Sequence, residues 1–106
     1  MTDIAKLTDR LRKVASGEHV KPQELSGLVC DVFEHCGLPH AEAKIGAEVA
    51  LWAQLHGSDS HGVVHLPLYV RRLLDRTIKA RPAFSTKHPM PCCAVLDADN
   101  GLGLVA

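Results

Sequence analysis

The sequence predicts an α+β fold, mainly helical at first and leading into one or two strands of a larger mixed sheet. Two observations carry that prediction. Apolar residues recur at three- and four-residue steps through three to four segments of the first 80 residues, the period of helices with one buried face. After Asp75 the texture changes: Pro82, Pro89 and Pro91 break the chain, and Cys92-Cys93-Ala94-Val95-Leu96-Asp97 reads as a strand. The expected organisation is a helical segment over residues 1–80 and the start of a sheet-containing domain over residues 81–106.

Ile4, Leu7, Leu11 and Val14 form the first stripe, with Thr2 as an N-cap, Arg10, Arg12 and Lys13 late, and Gly17 at the stop. Its narrow seam suits either the core or a partner subunit, and the sequence leaves both open. Leu25, Leu28, Val29, Val32, Phe33 and Cys36 make a wider stripe, opened by Pro22 in a first turn and closed by Gly37. The third helix offers Ala41, Ile45, Val49, Trp52 and Leu55 to one side and ends at Gly57. Gly37-Leu38-Pro39 should fold these two helices into a packed pair. Leu66, Val70 and Leu73 continue the helical period with Arg71 and Arg72 outward, provided Pro67 lies near the helix start. Residues 57–65 then occupy a turn between helices. The strand needs partners: short segments such as Ala83-Phe84-Ser85-Thr86, or others beyond Ala106, where Leu102-Gly103-Leu104-Val105-Ala106 begins another apolar run. A turn is expected at Asp99-Asn100-Gly101.

Composition excludes several classes of function. Twelve basic residues balance twelve acidic ones, which removes the broad positive field of a non-specific nucleic-acid binder. The longest apolar run falls far short of the ~20 residues of a membrane span, so no membrane role is expected. No basic stretch leads into an apolar one at the N-terminus, and a cytoplasmic protein is expected. Cys30, Cys36, Cys92 and Cys93 lack CxxC spacing and read as reduced, mostly buried thiols.

Chemistry concentrates in residues 57–70. Ser60 beside His61 sets a hydroxyl against the one side chain that both gives and takes protons near neutral pH. Asp59-Ser60 before an apolar-periodic segment is equally a helix N-cap, and spacing alone does not choose. His61 and His65, four apart, would share a helical face and could hold one metal, but the glutamate of an HExxH motif is missing. His19, His35, His40 and His88 lie among polar or loop residues and are expected to be solvated. Gly101-Leu102-Gly103-Leu104-Val105-Ala106 matches the GxGxxA dinucleotide fingerprint, although Asp97-Ala98-Asp99-Asn100 intervenes where that fingerprint wants a tight turn. Asp97 and Asp99 suggest a calcium loop whose later positions do not follow. A glycine-rich hairpin is the expectation for this segment.

Three blocks in order resemble one family: Gly57-x-Asp59-Ser60-His61-Gly62-Val63, Leu66-Pro67-x-Tyr69-Val70-x-Arg72-Leu73, and Asp97-x-Asp99-Asn100-Gly101-Leu102-Gly103. They are similar to the N-terminal part of the malate/L-lactate dehydrogenase family of NAD(P)-dependent oxidoreductases, from about Pro22 to Ala106. The resemblance implies a non-Rossmann nicotinamide fold, NAD or NADP as cofactor, and a small 2-hydroxy or 2-oxo acid as substrate. It makes the GxGxxA match a coincidence. It implies that Ser60 and His61 relay and donate a proton, that Tyr69 lies by the substrate, and that position 65 holds a carboxylate. The family carries an arginine there; this chain has His65. The resemblance places the cofactor-binding residues beyond Ala106, calls for no metal, and implies a homodimer when the enzyme is complete, with the Ile4-Leu7-Leu11-Val14 stripe a candidate for the interface. The 106-residue chain alone is then expected to be inactive. The competing readings are a non-catalytic truncated helical module that binds a protein partner, and a small metal-binding domain built on His61 and His65.

Overall fold

The structure, a computed structural model, describes residues 4–17 and 19–106. Helices α1 (Ile4–Ala15), α2 (Pro22–His35) and α3 (His40–Leu55) come first. Two single 3-10 turns, Asp59–His61 and Val63–His65, lead into α4 (Leu66–Leu74), and strands β1 (Ser85–Met90) and β2 (Cys93–Asp97) follow. The expected cap at Thr2 lies outside the described residues. No helix among those described is long and apolar enough to cross a membrane.

The core forms between α2 and α3. Gly37, with φ of 105°, turns the chain after α2, and the amide of Leu38 closes the corner by donating to the Phe33 carbonyl at 3.1 Å. On α2 the predicted stripe is the buried one: Leu28, Val29, Val32 and Phe33 face inward, with Phe33 fully enclosed. Its ring lies so close to α3 that a Cβ on Gly46 would stand 3.0 Å from Phe33 Cε2. Gly46 is therefore the contact point of the pair.

Helix α3 departs from the expectation. Its buried side is Ala43, Gly46, Ala47, Ala50, Leu51 and Ala53, whereas Ala41, Ile45, Val49, Trp52 and Leu55 are exposed. Small residues win the inward side because the bulky Phe33 already fills the interhelical space, and only glycine and alanine let the backbones approach. The large apolar residues are left outside, Trp52 at 62% exposure.

The first helix bears on the choice that its sequence left open. Leu7 is buried, Val14 packs against the core, and Arg10 pairs with Asp31 of α2, so these residues serve this chain's own interior; Leu11 remains exposed. Leu66 and Leu73 of α4 join the same core, with Pro67 in the helix's first turn as expected.

Strands β1 and β2 form an antiparallel hairpin that pairs Ser85 with Asp97, Thr86 with Leu96, Lys87 with Val95 and Met90 with Cys93. The partner strand starts two residues later than expected and runs through Pro89 instead of stopping there. The register shifts between Lys87 and Met90, where proline has no amide hydrogen to give the ladder. Every residue of both strands is exposed. The expectation of mostly buried cysteines holds for Cys30 alone: Cys36 is half-buried, while Cys92 and Cys93 are exposed on the hairpin.

After the hairpin the chain turns back instead of forming another strand or a glycine-rich hairpin. Asp99 and Asn100 take left-handed conformations at φ of 47° and 58°, Leu102 is buried in the helical core, and the amides of Val105 and Ala106 both donate to the Leu102 carbonyl. Asp99 fastens this return. Its carboxylate accepts from the Ala83 amide at 3.0 Å and the Lys79 ammonium at 2.8 Å, and these contacts hold its carboxyl below the usual aspartate range.

Candidate functional site

Helix α3 ends at Leu55 and the chain turns at Gly57, whose φ of 80° suits a residue without a Cβ, and the amide of Ser58 donates back to the Ala53 carbonyl at 2.9 Å. The amide of His61 then donates to the Ser58 carbonyl at 2.9 Å, closing the first 3-10 turn, and α4 begins within five residues. This short connection presents Ser60 and His61 at the surface.

Ser60 Oγ and His61 Nδ1 are hydrogen-bonded at 2.8 Å. When the hydroxyl donates, a neutral imidazole carries its own proton on Nε2, the ring nitrogen facing away from Ser60; when the neutral ring carries it on Nδ1, that N–H donates to Oγ and Nε2 is free to accept. When the ring is doubly protonated, Oγ again accepts. The His65 ring lies 6.3 Å from that of His61, centroid to centroid, at 72°, and the Tyr69 ring lies 6.1 Å from that of His65 at 47°. The four predicted residues thus follow one another from the exposed Ser60 and His61 to the half-buried His65, just before α4, and Tyr69 on it. Tyr69 reaches the hydrophobic core from that position.

Neither Asp59 nor Ser60 caps a helix. The residues before both 3-10 turns and before α4 make no side-chain capping bond. Asp59 Oδ1 instead accepts from Gln54 Nε2 at 2.9 Å, while Gln54 Oε1 accepts from the Val63 amide at 3.2 Å. Gln54 was not visible as a functional residue in the sequence: a lone polar residue near a helix end has no pattern. The available signal was Gly62, since a Cβ there would lie 2.4 Å from Gln54 Oε1.

The other sequence candidates separate from this turn. His61 and His65 stand on consecutive 3-10 turns and not on one helix. Among the described residues, the trio whose ligand atoms fall within 4.8 Å of one another is Cys30, Glu34 and His40. Burial, then Glu34 and Asp31, push the Cys30 thiol up, which opposes the thiolate a cation requires, and His40 Nδ1 is already joined to Glu34 Oε1 at 2.6 Å. The calcium loop dissolves into local bonds: Asp97 Oδ1 accepts from the Asp99 amide at 2.8 Å, and the Asp99 carboxylate is occupied as described.

The GxGxxA segment does not make a dinucleotide cradle. The strand before it belongs to an antiparallel hairpin, the Gly101 amide is spent on the Ala98 carbonyl at 2.8 Å, and a Cβ on Gly101 would meet Pro82 Cγ at 2.5 Å. Its bare backbone serves close packing. Around Gly101 the segment does not fit a nicotinamide dinucleotide.

The described residues thus make four helices followed by a hairpin, with a Ser-His contact on the connection into the fourth helix. A family model for malate/L-lactate dehydrogenase matches residues 20–106, and the chain belongs to that family. The L-sulfolactate dehydrogenase of Methanocaldococcus jannaschii is 37% identical over 86 residues, which is 81% of this chain and 25% of the relative. The NAD(+)-named ureidoglycolate dehydrogenase of Escherichia coli K12 is 32% identical over 87 residues, 82% of this chain and 25% of its own length. The malate dehydrogenase structure from Pyrococcus horikoshii superposes with a TM-score of 0.77 at 32% identity, covering 83% of this chain and 25% of that one. The chain spans about a quarter of the length of the curated relatives it matches.

Proposed function

We propose that this chain supplies the proton-transfer part of an NAD(P)-dependent oxidoreductase that interconverts 2-hydroxy and 2-oxo acids. The observation that carries this reading is the 2.8 Å bond between Ser60 Oγ and His61 Nδ1 on an exposed turn. Reduction of a carbonyl leaves an oxyanion that must take up a proton. The doubly protonated His61 donates it from Nε2, and the neutral ring left behind keeps its Nδ1 proton in the bond to Ser60 Oγ. In the oxidising direction the same nitrogen accepts the hydroxyl proton. His65, next along the path, contacts the substrate carboxylate when protonated, and Tyr69 orients the acid beside it. The choice between NAD and NADP belongs to residues other than those described.

The same proposal includes the division into a helical segment, residues 1–80, and the start of a sheet domain, residues 81–106. It includes a cytoplasmic homodimer as the working assembly. The exposed hairpin supports the sheet assignment, because a lone two-stranded ribbon is marginal in water and gains stability from further strands. A second reading, a helical module that docks on another protein without catalysis, is favoured by the exposed Ile45, Val49 and Trp52 on one side of α3.

The deciding experiment replaces the matching quarter of the Pyrococcus horikoshii malate dehydrogenase with residues 20–106 and assays NADH and NADPH oxidation with a panel of 2-oxo acids. The expected result is turnover that His61→Gln lowers by about 10²–10⁴-fold. A folded chimera whose rate is indifferent to His61→Gln removes His61 as the proton donor. The 106-residue chain alone is expected to give no oxidation of either nucleotide.

A further inference from the structure

The geometry points to Gln54 as a positioning residue for His61: we propose that its side-chain amide clamps both ends of the Ser60-His61 turn and thereby holds the Ser60 hydroxyl on Nδ1, so that Nε2 is the nitrogen presented to substrate. The proposal gives a mechanism to the role of His61 argued above and rests on it for its functional meaning, but its physical content stands without any turnover.

Three contacts converge on one side chain. Gln54 Nε2 donates to Asp59 Oδ1 at 2.9 Å, immediately before Ser60. Gln54 Oε1 accepts from the Val63 amide at 3.2 Å, two residues after His61. Gly62, buried beneath this amide, has no room for a Cβ, which would stand 2.4 Å from Oε1. An amide is suited to the task because it carries a donor and an acceptor on one rigid plane, so a single residue holds a carboxylate and a backbone N–H at once. Gln54 is itself fixed by its place in the last turn of α3, whose backbone is anchored in the core by Leu51 and Ala53.

The consequence concerns a bond in which Gln54 takes no part. Ser60 and His61 are neighbours in sequence, and their side chains meet only in a restricted set of backbone conformations. The 3-10 turn supplies that set, and it is closed by the single backbone bonds from His61 to Ser58 and from Gly62 to Asp59, the latter long at 3.4 Å. Clamping residues 59 and 63 from outside keeps the Ser60 hydroxyl on Nδ1 and so leaves Nε2 as the nitrogen free to meet a substrate. Without the clamp the turn samples other conformations and the hydroxyl leaves Nδ1.

The test is imidazole ¹⁵N NMR on the 106-residue chain, at a pH above the titration range of histidine, with the exposed His88 as internal reference. The wild type should show His61 nitrogen shifts distinct from those of His88, set by its bond to Ser60. Gln54→Leu, which keeps the bulk and loses both bonds, should move its two nitrogen shifts toward those of His88, and Gly62→Ala should do the same by displacing the amide. Gln54→Glu keeps the acceptor for Val63 but sets two carboxylates together, and should behave like the leucine variant. Adding Asp59→Asn to Gln54→Glu restores the bridge with its polarity reversed, the amide now at position 59 donating to the carboxylate at position 54, and should return His61 to the wild-type shifts. A merely structural clamp predicts otherwise: lost amide protection at Val63 and a lower melting temperature in Gln54→Leu, with the His61 shifts unmoved. That result, or wild-type His61 shifts that match those of His88, overturns the proposal. Shifts that respond as expected, together with a chimera indifferent to His61→Gln, would leave the clamp standing and remove the catalytic role.

Discussion

The α2–α3 pair and the β1–β2 hairpin are built from the same chain under opposite conditions. In the helix pair, Phe33, Ala43 and Ala47 are wholly enclosed, and side chains from α1, α4 and the returning Leu102 complete the packing. In the hairpin Val95 and Leu96 fall on opposite faces and both are exposed, so neither side has a layer to rest on. The helical part has a core of its own, whereas the hairpin is held mainly by its attachment, through Asp99 and Asn100, to residues 77–83. The Ser60-His61 turn springs from the helical part. Its geometry therefore depends on the helices and on Gln54.

The contrast is broken most severely at Phe33. Phe33→Ala removes the fully enclosed ring opposite Gly46 and should cost about 3–5 kcal/mol, a large share of a small domain's stability. Helical circular dichroism followed through a urea titration should show the midpoint collapse; a midpoint close to wild type would mean that the core lies elsewhere. In the chimera, His65→Arg should lower the KM for 2-oxo acids several-fold at neutral pH, because a guanidinium stays charged and grips a carboxylate through two parallel bonds. An unchanged KM would place His65 away from the substrate.

Smaller effects sharpen the hairpin side. Asp99 has its folded-state pKa lowered, so its stabilising contribution is complete above the ordinary aspartate value of about 3.9 and fades as pH falls through the lower folded value. Melting temperatures of wild type and Asp99→Asn should differ at neutral pH and converge in acid; parallel curves would show that the Ala83 and Lys79 contacts do not matter in solution. Leu96→Lys should change the helical melting transition by no more than about 0.5 kcal/mol while reducing self-association, read by light scattering, because it charges an exposed strand that invites pairing. A large loss of helical stability would instead place Leu96 in the core.

The sequence made these two regions unequally legible. On α2 the large apolar residues are the buried ones, so periodicity read the inward side directly. On α3 the same logic chose Ile45, Val49 and Trp52, because hydrophobicity rises with size whereas close approach to Phe33 demands the reverse. Proline was read as a strand breaker, yet Pro89 is accommodated at the point where the ladder loses register. Ser60 and His61 were legible because they are adjacent, and their bond requires little beyond the local turn. Gln54 was not, since its partners lie five and nine residues away and depend on how the turn folds back over α3.

Hydrogen exchange on the 106-residue chain, resolved amide by amide, tests most directly the claim that a helical unit with a core of its own carries the turn while the hairpin awaits cover. The account predicts strong protection from Leu28 to Phe33 and from Ala43 to Leu51, measurable protection at His61 and Val63, and exchange in β1 and β2 close to the rate of an unfolded peptide. Hairpin amides protected as strongly as those of α2, or a Val63 amide exchanging freely in a folded chain, would contradict it.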